Sequence, residues 1–260
     1  MTSAAATHPA DAPHVPALTW LNVFTRLLAT QGSWNYETLI GNGVGFCVEP
    51  ALRMLPGGVH GPAFKAAMTR ESAYFNAHPY LSAVAVGALA RVELSGVPAD
   101  RIERFRTALC GPLGSVGDRL VWAGWLPFCS LLALLCFGLG AGPKVMLLTF
   151  LLLYNAGHLG LRAWGLHVGW TRGLGVASAL ANPVLRQGPT YLARAASAIA
   201  GVALPLTVAR LLGHHHALLG IVLIVSALAA VVLARFHGRV EGYKLALVLI
   251  ALFALISVAR

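Results

Sequence analysis

The sequence predicts an all-α integral membrane protein, polytopic, with broken or re-entrant helices and interfacial amphipathic helices, and three observations carry that prediction. The 260 residues are 57% hydrophobic and 11% charged, at a mean hydropathy of +0.72, which is too apolar for a soluble domain of this length. From Leu120 to Pro143 no charged residue occurs over 24 positions, enough to cross a hydrocarbon core of roughly 30 Å at about 1.5 Å per residue. Just before that run stand Gly111, Pro112, Gly114 and Gly117. There Pro removes a backbone donor and each Gly adds an entropic cost to a helix.

A helix is therefore expected to begin at Asp118, at the mouth of the apolar run. An Asp at a helix start accepts backbone N–H bonds and complements the dipole, so the residue alone is explained by a cap. Broken backbone at membrane depth, however, is tolerated where protein or a polar cavity satisfies it, and in transporters such breaks often lie beside the substrate. The segment reads as a permease element, with Gly111, Pro112, Gly114 and Gly117 as gating or structural residues.

Taken in order, residues 1–17 have neither a basic leader nor an apolar core and read as a short disordered, cytoplasmic tail. Residues 18–260 read as one membrane domain. Leu21, Phe24 and Leu28 share a helical face in Leu18 to Thr30, predicting a helix lying on the membrane. Gly41, Gly43 and Gly45 precede Pro50 without the strand or spacing of a nucleotide fingerprint. A weakened or tightly packed membrane helix accounts for them. Pro56 to Pro62 is a loop by its Pro and Gly density, and Pro79 marks a boundary.

Tyr80 to Ala90 is apolar over 11 residues, too short to span and suited to a re-entrant or buried helix. Pro98 then starts an amphipathic surface helix with Ile102, Phe105 and Leu109 on one face and Arg101, Arg104 and Arg106 elsewhere. Beyond Asp118, further uncharged intervals accommodate four to six membrane helices in all, and Gly165, Gly169 and Gly173 recur every fourth residue, which permits close helix approach.

The formal net charge of +10 comes from basic residues spread singly between apolar runs, which argues for topology determinants and against nucleic acid. Four cysteines form no CxxC pair and read as small core residues. All nine acidic residues except Glu241 lie at or before Asp118, so carboxylate chemistry belongs to the first half. Consecutive His214, His215 and His216 cannot share one helix face and read as a water-exposed loop rather than a metal site. No nucleophile elbow, P-loop, HExxH or paired-carboxylate signature is present, so neither catalytic residue nor cofactor nor metal is expected.

Two further segments carry polar groups suited to a sugar, whose hydroxyls both donate and accept. Trp34, Asn35, Tyr36 and Glu37 combine an amide, a carboxylate and aromatic faces, although an interfacial aromatic belt with a solvated Glu explains them as well. Asn76 and His78 precede Pro79, where a packed loop histidine is the plainer account.

Together, NYE with a Gly-rich segment and EPAL, FNAHPYLSAVAVGALARVE, LCGPLGSVGDRLVW and LRAWGLHVGW resemble, in this order, the D subunit (enzyme IID) of mannose/fructose/sorbose-type bacterial phosphotransferase permeases. The resemblance implies a multi-pass subunit of the bacterial cytoplasmic (inner) membrane. It pairs with a C subunit in a hetero-oligomer that moves a hexose, while A and B phosphocarrier subunits on the cytoplasmic side supply and transfer the phosphate. This chain would then carry no phosphate. The resemblance also implies that Asn35, Glu37, Asn76, His78 and Asp118 lie near the sugar, with Pro79, Gly111, Pro112 and Gly117 at family positions. Ala77 stands for a usual Thr, Leu94 for the second of a Glu pair, and Arg119 follows the Asp. The region from Ala209 to Val240 is also shorter than the family's, and this together with Arg119 motivates an alternative, a transport-inactive scaffold or regulatory subunit of the same fold.

Overall fold

The computed structural model describes residues 13–212, together with isolated positions between 220 and 235. Most of the tail, the His214 to His216 run and the apolar interval from Leu245 lie outside the described residues. Among those described, every regular element is helical: α1 (Ala17–Leu27), α2 (Gly41–Leu52), α3 (Pro62–Glu71), α4 (Ser82–Leu94), α5 (Ala99–Gly117), a π-helical stretch (Asp118–Trp125), α6 (Leu126–Gly138), α7 (Pro143–Arg172), α8 (Ala177–Leu180) and α9 (Pro183–Leu212). Extended pairing is limited to isolated bridges of Leu39 with Asn35 and with Phe75.

The apolar segment around Tyr80 to Ala90 becomes α4, 13 residues long, in which everything from Ser82 to Ala90 is buried. A helix apolar on all sides has to be enclosed on all sides, and α2, α5 and α7 pack around this one. Against α7 the approach is backbone to backbone. A Cβ on Gly169 would overlap the Val84 carbonyl, and one on Gly87 would overlap the Leu166 carbonyl. The every-fourth spacing of Gly165 and Gly169 thus does what it predicts. α2 is also tightly packed, but at 12 residues it does not span a membrane.

Helix α1 forms where periodicity places it, with the opposite face inward. Val23 and Leu27 are buried, whereas Leu21 and Leu28 are 58% and 50% exposed. The outward face is apolar as well, as an interfacial helix requires.

Among the described residues, three helical runs are long and apolar enough to cross a membrane: Ala99–Gly138, Pro143–Gly175 and Ala177–Leu211. They are fewer than the sequence suggests among the described residues, because short uncharged intervals merge. Val145 to Leu161 continues through Arg162 as one helix, and the interval at 173–185 is divided between the end of that run and the start of the next, which also takes in 195–209. The predicted break also moves. Gly111, Pro112, Gly114 and Gly117 all lie within α5, and Asp118 has helical angles (φ −61°, ψ −43°) with no side-chain cap bond. Asp118 is therefore no N-cap. A single Pro removes only one donor and its ring stays outside, so the helix survives and the irregularity appears one step later, as π-helix over Asp118–Trp125.

Candidate functional site

The chain enters the site through a tight turn. Asn35 Oδ1 accepts the N–H groups of Glu37 (2.9 Å) and Thr38 (2.8 Å), and its Nδ2 donates to Thr38 Oγ1 (2.9 Å) and the Ser33 carbonyl (3.1 Å). This is an Asx turn that uses both ends of the amide. It holds Thr38 and Ile40 in register with Phe75, which donates to the Thr38 carbonyl and accepts from the Ile40 N–H, each at 3.1 Å. Phe75 is buried, and the next residue, Asn76, is exposed at the edge of a cleft.

That cleft, about 380 Å³ in volume, brings together two segments widely separated in sequence: Tyr74 to His78, and Cys110 to Asp118 on α5 and its π-helical continuation. Of the residues singled out from the sequence, Asn76, His78, Gly111, Gly114 and Asp118 line it. Gly117 lies beneath, where a Cβ would overlap the His78 imidazole. Asn35 and Glu37 do not line the cleft. Asn35 positions the turn that leads to it, and Glu37 is exposed on that turn. Asp118 is exposed at the rim, with no hydrogen bond or ion pair to it among the described residues. Arg119, next to it, donates to the Ser115 carbonyl (3.1 Å) on its own helix and leaves the carboxylate free.

His78 is 1% exposed, its ring 5.0 Å from Tyr80 and 4.9 Å from Trp122. Its Nδ1 accepts the Tyr80 N–H at 3.2 Å. A nitrogen that accepts carries no proton, so neutral His78 holds its proton on Nε2, which is buried without a partner among the described residues. Burial, and secondarily the charge of Arg162, push its pKa down to about 4. At neutral pH it is an uncharged hydrogen-bond donor at the cleft wall.

Two ion-pair systems that sequence reasoning did not find brace this arrangement. Arg106, 5% exposed, reaches from α5 to Glu71 Oε2 (3.3 Å) and to the carbonyls of Glu71 (2.9 Å), Ala73 (2.7 Å) and Tyr74 (2.7 Å). Arg70 grips Glu93 with two bonds of 2.8 Å. Arg106 falls on the face of Ile102 and Leu109, a signal that spacing could have offered. A second buried cation, Arg162 of α7, donates to the Leu27 and Pro79 carbonyls and to His158 Nε2 (3.0 Å), and lies over the Tyr80 ring.

Burial pushes the Glu71 carboxyl up to about 8, with Arg106 opposing and Glu93 adding to the rise. A raised carboxyl binds its proton more tightly when folded, so its stability contribution is full below the usual 4.5 and is lost as pH rises towards 8. His78 runs the other way, losing its contribution as pH falls from 6.5 towards 4. The slopes oppose each other below 6.5 and leave the window from 6.5 to 8 to Glu71. Thermal unfolding of the detergent-purified protein is expected to weaken across that window by roughly 2 kcal/mol. The Glu71→Gln variant is expected to be flat there; an undiminished slope in it would assign the titration elsewhere.

The profile of the family described as "PTS system mannose/fructose/sorbose family IID component" matches residues 16–204. The mannose-specific EIID component of Escherichia coli K12 is 30% identical over 171 residues, 64% of this chain and 59% of that protein. The fructose permease IID component of Bacillus subtilis 168 is 31% identical over 170 residues, 62% of this chain and 59% of that one. This chain thus spans about three fifths of the length of the curated relatives it matches. In fold it is similar to a solved chain titled "CryoEM Structure of Mannose Transporter ManYZ and Microcin E492 (MceA) complex", with a TM-score of 0.56 and 23% identity over 95% of this chain and 96% of that one. Another, titled "Structure of membrane protein", gives a TM-score of 0.63 at 24% identity over 73% of this chain and 70% of that one. The family match runs through the turn, both cleft-forming segments, the first two membrane-length runs and the third as far as residue 204, and the chain belongs to the IID components of the mannose/fructose/sorbose phosphotransferase family.

Proposed function

We propose that this chain is the membrane translocation subunit of a mannose-type sugar phosphotransferase permease in the bacterial cytoplasmic membrane. It pairs with a C subunit to bind a hexose and move it across, and a separate B subunit, charged by an A subunit, phosphorylates the sugar. The observation that carries this reading is the cleft in which Asn76, His78 and Asp118 meet. An amide, a neutral imidazole donor and an unpaired carboxylate supply the mixed donors and acceptors that sugar hydroxyls need. Relatives named for mannose and fructose, and a fold neighbour titled as a mannose transporter, support the substrate class and the membrane partner. The transport-inactive alternative draws on Arg119, and that side chain turns back to Ser115 rather than neutralising Asp118.

Sugar uptake by cells carrying this chain with its C, A and B partners tests the proposal. Asp118→Asn is expected to raise the sugar concentration for half-maximal uptake about tenfold, the scale of one charge-assisted hydrogen bond. Glu37→Gln is expected to leave uptake unchanged. Wild-type kinetics in Asp118→Asn would remove the cleft assignment, and a defect confined to Glu37→Gln would move the sugar path onto the turn at 33–38.

A further inference from the structure

Tyr80, whose ring abuts His78, also lines a second cavity of about 400 Å³ that shares no lining residue with the cleft. The π-helical stretch borders both, offering Asp118 to the cleft and Val121 and Trp125 to the cavity. The middle of α7 and the start of α9 complete the cavity with His158, Trp164 and Asn182.

Tyr80 and Trp125 spend their polar atoms on Tyr154, but two other lining side chains each keep an unused donor. The Arg162 Nε–H donates to His158 Nε2 at 3.0 Å, and arginine cannot accept. Nε2 therefore presents a lone pair, and neutral His158 carries its proton on Nδ1. That Nδ1–H is buried and has no acceptor among the described residues, a destabilising state that points to a missing partner. Asn182 Oδ1 accepts the Val184 N–H at 2.9 Å and caps the start of α9, which leaves its NH₂ group for another acceptor. Two indoles and a phenol provide flat apolar faces around these donors, and the volume falls within the range of small-molecule sites.

We propose that this cavity is an inner sugar station, occupied by a hexose ring that has left the cleft, an inference that rests on the reading of the cleft as the entry site. A pyranose stacks its C–H face on Trp125 or Trp164 while its hydroxyl oxygens accept from His158 Nδ1–H and the Asn182 NH₂. An acyl chain would fill the same volume and use neither donor. The aromatic partition of His78, Tyr80 and Trp122, with ring centroids 4.9 to 5.8 Å apart, separates the two stations.

The test uses D-mannose and the full chain with its C partner in proteoliposomes supplied with the phosphocarriers, measuring equilibrium affinity and maximal uptake rate. His158→Phe keeps the ring volume without the donor, and Asn182→Asp keeps the oxygen that caps α9 without the NH₂ group. Each is expected to lower the maximal rate about tenfold and to leave equilibrium affinity within about twofold. Because Asn182→Asp preserves the cap, the proposal stays testable even where His158→Phe fails to assemble. Unchanged maximal rates in both variants overturn the proposal. So does a phospholipid retained by the wild type in native mass spectrometry and lost from Trp125→Ala, which would make the cavity a lipid site. Unaltered affinity in Asp118→Asn together with weakened mannose binding in Asn182→Asp would remove the cleft reading while keeping sugar in the cavity.

Discussion

Replacing Arg106 with methionine is expected to destabilise the protein by about 3 to 5 kcal/mol, the range for breaking a buried, hydrogen-bonded ion pair from one side. Methionine retains much of the stem volume, so cavity formation contributes little. The loss comes from acceptors. The carbonyls of Glu71, Ala73 and Tyr74, which end α3 and begin the cleft segment, lose their donor together with Glu71 Oε2. Phe75 also loses the guanidinium 4.9 Å from its ring centre. With its carboxyl raised to about 8, Glu71 is already protonated at pH 6, so removing the guanidinium strands a buried carboxylate only at the higher pH. The deficit should therefore be smaller at pH 6 than at pH 8. Adding Glu71→Gln should cost less than the sum of the two single variants, since the two side chains are coupled. Arg106→Lys retains the charge but not the fork that reaches several acceptors at once, and should fall between. Thermal unfolding in detergent at both pH values checks the series. A loss below 1 kcal/mol in Arg106→Met would mean that water or a neighbouring group replaces the guanidinium.

Arg106 also marks where the sequence stops being readable. Its place on the face of Ile102 and Leu109 is visible from spacing, but a lone cation on an apolar stripe is ordinarily assigned to solvent. Only Glu71, 35 residues upstream and brought beside it by the turn before α4, reverses that. Features set by local length and period were legible: the enclosure of α4, the close approach at Gly169, the boundary at Pro79. The inward face of α1 was not, because in a membrane protein both faces can be apolar and periodicity does not say which one meets protein. The cleft lay between these cases. Its two segments stood out as elements, but their juxtaposition depends on α5 continuing through Gly111 and Pro112, against what those residues prefer alone. Asn35 stood out as a polar residue without revealing that its amide is spent within its own turn.

The glycines of α5 supply the second large effect, through opposite signs. Gly117 has ordinary helical angles (φ −65°, ψ −43°), so no backbone freedom requires glycine there; space does. A methyl group at that position would overlap the His78 side chain, which cannot retreat because Tyr80 and Trp122 flank it. Gly117→Ala is thus expected to destabilise the protein by about 1 to 3 kcal/mol and, by displacing the imidazole, to weaken the sugar binding proposed for the cleft. Gly111 meets nothing within 4 Å of a built Cβ and sits in the interior of a helix, where glycine costs roughly 0.5 to 1 kcal/mol relative to alanine. Gly111→Ala should stabilise by that amount. Thermal unfolding of both variants, with sugar uptake alongside, distinguishes two roles for the glycines. Opposite signs in stability make Gly117 a contact that seats His78 and Gly111 a replaceable position. If instead both variants keep wild-type stability while both lose uptake, the glycines act as a hinge that the membrane helix needs in order to move, and the packing account of Gly117 fails.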